Sequence, residues 1–175
     1  MSASPVRVAT LVTALVSLLA VPAAAQRSDT PRFAVTLGTG VPLGDMGDAA
    51  KTGYVIGAQV DMPVTDRFTA RISGDYARYA FSNDLADVVG DGHWTQIGVM
   101  ASAIAPIQTT GVYLLGGLGF YQMDSNVAGS DAESDLAYTF GAGVGRGRWF
   151  VEARYQSIQL DPEMHSMPIV VGWKF

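Results

Sequence analysis

Six charged side chains stand in strings of small and apolar residues: Asp61, Arg71 and Asp75, Glu152 and Arg154, and Lys174. Residues two apart in an extended chain project to one face, so Arg71 shares a side with Asp75, and Glu152 with Arg154. Three bases and three acids gathered in one interior can pair and leave it formally neutral. That is the chemistry of a salt-linked plug. A Ser–His–acid arrangement has only His93 and His165 to serve as its base, and with cysteine absent no thiol nucleophile exists. Ser166 directly follows His165, so in extended chain the two face opposite ways and no nucleophile–base pair forms. Both histidines fall at expected loop margins, where a solvated role suffices.

Carboxylates form a second group: Asp45, Asp48, Asp84, Asp87, Asp91, Asp124, Asp131, Glu133, Asp135, Asp161 and Glu163, opposed in those segments by Lys51. Oxygen-only ligands suit calcium or magnesium, and bridging to anionic surface lipid is one use for them. No segment has the order of an EF-hand loop, so no metal site is assigned, and solvation of loops accounts for the acids equally well. Gly38-Thr39-Gly40 and Gly141 to Gly145 suggest a phosphate loop, but no Lys-Ser/Thr follows and neither opens a helix. No cofactor is expected.

The elements that position these groups follow from the chain's periodicity. Arg7, an apolar stretch from Val8 to Val21 and Ala23-Ala24-Ala25 before Gln26 read as a secretory signal peptide over residues 1–25, cleaved between Ala25 and Gln26. About 150 residues remain, enough for one domain. The net charge of −5 argues against a nucleic-acid partner. Mean hydropathy is +0.22, yet the remainder has no run of roughly 20 apolar residues that could form a membrane helix. Eight segments of alternating Val, Ile, Tyr, Phe, Trp and Thr are expected as strands, near 32–40, 54–62, 67–79, 94–105, 111–122, 136–145, 149–159 and 168–175. No segment shows a helical period, and 20 glycines argue against long helices. Short turns (63–66, 106–110 and 146–148) alternate with long loops (41–53, 80–93, 123–135 and 160–167), so one end carries tight turns and the other the acidic loops. Arg67, Arg146 and Arg148 mark the turn end, with Arg27 and Arg32 in or near the first strand. The prolines Pro42, Pro63, Pro106, Pro162 and Pro168 are expected at segment edges.

Aromatic placement orients the faces. Phe68, Ala70, Ile72, Gly74 and Tyr76 share one face, and Trp149, Val151, Ala153 and Tyr155 another. In both, rings bracket a small centre, as in a wall with two interfacial girdles. The opposite face carries the mid-strand charges, which on lipid would cost roughly 2–4 kcal/mol each, so it lines a lumen. Strands of about 10 residues, at 3.3 Å each and tilted by roughly 45°, span about 23 Å, close to the apolar band of membrane barrels. Glycines 117, 119, 141, 143 and 145 on lumen faces leave room for long side chains.

The closing segment, Ile169, Val171, Trp173 and Phe175 interleaved with Val170, Gly172 and Lys174, resembles the last strand of a bacterial outer-membrane barrel. Over its length after residue 25 the chain is similar to small barrels of the OmpA transmembrane-domain and OmpX type. The resemblance implies an all-β, eight-stranded, antiparallel up-and-down transmembrane barrel over residues 26–175 in the outer membrane of a Gram-negative-type bacterium. It also implies insertion by the barrel-assembly machinery, with Trp173 and Phe175 as the terminal signal, although Val170 stands where that signal has glycine. The expected work is structural or interactive, in contact with outer-membrane lipid and lipopolysaccharide, as a monomer with a plugged lumen. Three other uses of such a barrel stay open. A small pore is one, and a lipid A-modifying enzyme is another, though His165 and Ser166 lack the spacing of the lipid A deacylases. A soluble lipocalin-like carrier is the third, and it would need an apolar lumen.

Overall fold

Alternation of small or charged with aliphatic or aromatic residues builds every strand of this protein, because a two-residue period buries one face and bares the other. The computed structural model describes residues 30–65, 67–107, 110–127 and 132–175. The expected leader and its Ala25/Gln26 cleavage point lie outside them, as do Arg27, Asp66 and Asp131. The strands are β1 (Arg32–Leu43), β2 (Gly53–Thr65), β3 (Phe68–Ala80), β4 (His93–Pro106), β5 (Val112–Ser125), β6 (Glu133–Arg146), β7 (Trp149–Ile158) and β8 (Met164–Lys174). Each pairs antiparallel with its sequence neighbours, and β8 returns to β1, closing an up-and-down barrel of eight strands. Closure leaves no unpaired sheet edge.

The turn end is tight. Trp149 pairs with Arg146 across Gly147-Arg148, and Gly147 at φ 62° occupies the first central position, where a two-residue hairpin calls for glycine. At the β2–β3 turn the Thr65 hydroxyl accepts hydrogen bonds from the amides of Arg67 and Phe68, at 3.2 and 3.0 Å.

The loop end departs from the sequence expectation in three ways. Strands run further than composition suggests: β1 to Leu43, β6 from Glu133 and β8 from Met164. Their polar tips keep pairing because the neighbouring strand continues beside them. Pro168 is consequently inside β8 and not at an edge. Its missing donor shows as a gap in the ladder, with Ala153 opposite Ile169 and the next β7–β8 pair at Gln156 and Ser166. Two short helices also occupy segments read as irregular, α1 (Asp45–Ala49) and α2 (Asn83–Val89). Ser82 caps α2 by accepting from the Leu85 amide at 3.3 Å, and Gly90 ends it at φ 88°. None of the described helices is long and apolar enough to cross a membrane.

Outside, large apolar side chains stand bare around the circumference: Leu37 is 63% exposed, Leu118 59% and Phe140 57%. In water so extensive a belt would drive aggregation; it is the wall that lipid covers. Inside, polar and apolar layers alternate along the axis. Arg71, Asp75, Glu152 and Arg154 are buried at mid-height. Towards the loops, Met46, Val55, Ala77, Tyr79, Met123 and Val170 form an apolar cluster, against which Trp94, Leu160 and Met164 pack.

Candidate functional site

Strands β3 and β7 stand on opposite sides of the eight-stranded ring, and their inward charges meet across it. Arg71 Nε donates to Asp61 Oδ1 at 2.7 Å, and Arg71 Nη1 donates to Glu152 Oε2 at 2.6 Å. Both bonds are short and charge-assisted, the strong class of hydrogen bond. Tyr113 adds a hydroxyl donor to the same Glu152 oxygen at 2.8 Å. The other oxygen, Oε1, faces Arg154 Nε at 3.5 Å, a charge contact without hydrogen-bond geometry. Arg154 Nη2 then reaches Asp75 Oδ1 at 3.5 Å, and Tyr121 donates to Asp75 Oδ2 at 2.8 Å.

The sequence Asp61, Arg71, Glu152, Arg154, Asp75 is thus one chain of alternating sign running from β2 through β3 to β7 and back to β3. We refer to it as the strut. Lys174, the sixth charge singled out from sequence, stands apart. Its ammonium lies 5.3 Å from the Phe150 ring centroid and lines a recess of about 150 Å³ at the turn end, with Arg32, Asp61, Arg71 and Tyr113. The strut alone therefore holds three acids against two bases, and the third base waits at the mouth.

Sequence reasoning missed the rings inside the barrel. Tyr79, Tyr113, Tyr121 and Phe150 are buried on lumen faces, and each lies over a glycine of a neighbouring strand. A methyl group at Gly143 would strike the Tyr113 ring, one at Gly98 the Tyr121 ring, and one at Gly172 the Phe150 ring. Parity was the available signal, since Phe150 has the same spacing as Glu152 and Arg154. Which glycine each ring covers needs the cross-strand register.

The outward rings form two levels. At the turn end Trp149 and Trp173 are cross-strand partners in edge contact, 4.4 Å between centroids; Phe175 after Trp173 and, across the ring, Phe68 at the start of β3 are exposed. At the loop end Tyr76 pairs with Tyr54 at 6.1 Å, and Tyr155 with Phe140 at 5.0 Å. Arg78 continues the outward face of β3 above Tyr76, where its Nη2 meets His93 Nδ1 at 3.2 Å. Alternation along β3 could have revealed it.

The catalytic candidates do not assemble. Ser166 is buried towards the lumen, whereas His165 lies on the other face, its Nδ1 2.9 Å from the Tyr155 hydroxyl and its Nε2 3.7 Å from Glu163 Oε2. Ser157 is the direct cross-strand neighbour of His165, but its buried hydroxyl makes no hydrogen bond to the ring. Among the described residues no three histidines or carboxylates converge to hold a metal ion. The acids of the loop end are strung along separate segments.

A closed antiparallel barrel with a lipid-facing wall and a charged lumen defines a small integral protein of the outer membrane. The chain belongs to the outer membrane protein beta-barrel domain family, whose model matches residues 11–175. Among solved structures, Ail, the attachment invasion locus protein of Yersinia pestis, in complex with the heparin analogue sucrose octasulfate, aligns at a TM-score of 0.59. The identity is 18%, covering 84% of this chain and 100% of that one. Neisserial surface protein A aligns at 0.55 with 18% identity, over 82% of this chain and 95% of that one. At such identities the likeness is one of fold. No curated protein matches the sequence.

Proposed function

We propose that this protein is a closed, non-catalytic barrel that reinforces the outer membrane and offers its acidic loop end as a contact surface. The observation that carries this reading is the strut. An eight-stranded barrel has an interior just wide enough for its own side chains to fill; here Arg71 and Glu152 bond across it, and an apolar cluster around Tyr79 packs inside on the loop side. Both features support a plugged lumen over a conducting one. Separation of His165 and Ser166 on opposite faces of β8 supports the absence of catalysis, and the barrel needs no cofactor.

In the same reading residues 1–25 are a cleaved signal peptide and residues 26–175 the barrel domain. Trp173 and Phe175 serve as the terminal signal for the barrel-assembly machinery. Phe68, Tyr76, Trp149 and Tyr155 hold the wall at the two interfaces, where amphipathic rings are favoured. Outer-membrane lipid and lipopolysaccharide surround the barrel, which works as a monomer.

Planar-bilayer conductance of the refolded protein tests the proposal. The unmutated barrel is expected to pass no steady current, and Arg71→Ala or Glu152→Ala to admit brief openings at most. A steady ion current through the unmutated barrel would make it a pore and overturn the reading.

A further inference from the structure

A cavity of about 240 Å³ opens at the loop end, between β4, β5, β6 and the β7–β8 connection. Its floor is mainly apolar, made by Trp94, Met123, Leu160 and Met164 with Ser125 among them, and its rim carries Asp124 and Glu133. The floor is anchored from below: Leu160 and Met164 pack on two buried apolar clusters, and Trp94 lies 4.5 Å from the Phe81 ring centroid. Both rim carboxylates are exposed, and neither takes part in an ion pair among the described residues. Lys51 precedes β2, on the other side of β3, and the one base near the mouth, Arg78, lies across Thr95 from Asp124 in the sheet register with its Nη2 turned to His93 Nδ1 at 3.2 Å.

We infer that this mouth is a docking pocket for a basic peptide segment of a partner protein, which inserts one apolar side chain between flanking lysines or arginines. Size argues for a single anchor. Pockets that enclose a drug-sized ligand run to about 300–1,000 Å³, and this one is smaller. Sign argues for a basic partner, because two exposed carboxylates above an apolar floor favour cations beside the anchor and repel acidic chains. Sulfur-rich floors such as Met123 and Met164 adapt to different anchor shapes. The inference rests on the reading of the loop end as the contact face and adds the pocket and the chemistry of what fills it.

The test uses the barrel refolded into zwitterionic phosphatidylcholine nanodiscs, so that the bilayer itself attracts no peptide. The probes are the peptides Lys-Lys-Leu-Lys-Lys, Lys-Lys-Ser-Lys-Lys and Glu-Glu-Leu-Glu-Glu, with binding read by calorimetry. The leucine-anchored basic peptide is expected to bind at least about tenfold more tightly than the other two, as anchor burial at a desolvated centre implies. Asp124→Asn with Glu133→Gln should remove that preference for basic peptide, and Leu160→Trp, which fills the cavity from a connecting segment, should remove the preference for leucine over serine. Equal binding of the leucine and serine peptides would overturn the pocket while leaving an acidic contact face. Binding of neither basic peptide would overturn both. The conductance result is independent of either outcome.

Discussion

At the scale of single residues, the mid-barrel charges are energetically unequal. Arg71 and Glu152 are almost wholly buried, so removing one partner strands the other in a low-dielectric interior. Glu152→Ala should lower the stability of the folded barrel by about 3–5 kcal/mol, read as a fall in the urea midpoint for unfolding from lipid vesicles. Lys174 lines an open recess and is only partly buried, so Lys174→Ala should shift the same midpoint by less than about 1 kcal/mol. Equal effects would mean that the strut is no more than a set of solvated charges. The inward direction of these residues was legible because parity along a strand is strict. Their partners were not, since Arg71 and Glu152 meet only through the curvature of the whole ring.

Elements bring a different constraint, the fit of one strand's rings to the next strand's glycines. Gly172→Ala drives a methyl group into the Phe150 ring and should cost about 1–3 kcal/mol, as overpacking does. Phe150→Leu in the same chain should restore part of that loss, and a double-mutant cycle would then show coupling of about 0.5–3 kcal/mol. Strict additivity would refute the ring-over-glycine contact. On the outer face Leu118, midway along β5 and bare, should tolerate arginine poorly. The expected penalty is about 2–4 kcal/mol near the bilayer midplane, measurable by the same unfolding assay.

The eight strands were readable as elements because their alternation is local. Strand tips at the loop end were not, since polar residues such as Glu133 and Ser134 look like loop until a neighbour is there to pair with them. The helix at Asn83–Val89 left a faint trace in Ser82 and Gly90, a cap at each end of a segment too short to show a period.

For the whole molecule, closure and polarity set the behaviour. The seam between the first and last strands is fastened at its lower end by the Phe175 amide, which donates to the Phe33 carbonyl at 2.9 Å. Deleting Phe175 should reduce the yield of inserted barrel in an assembly-machinery reconstitution, with little change in the unfolding midpoint of the fraction that does insert. An unchanged yield would remove the terminal aromatic from the insertion step. Charge is also unevenly divided along the axis, with acids dominating the long loops despite Lys51 and Arg78, and Arg67, Arg146 and Arg148 at the turns. The strut has one more consequence, in the order of events during biogenesis. Arg71 and Glu152 are 81 positions apart in sequence and on opposite sides of the ring, so whichever of β3 and β7 forms first, its charge lacks this partner until the other is in place. The lumen stays electrically unfinished until the far side of the ring arrives, which makes the strut a built-in check that all intervening strands are present and in register before the barrel can settle.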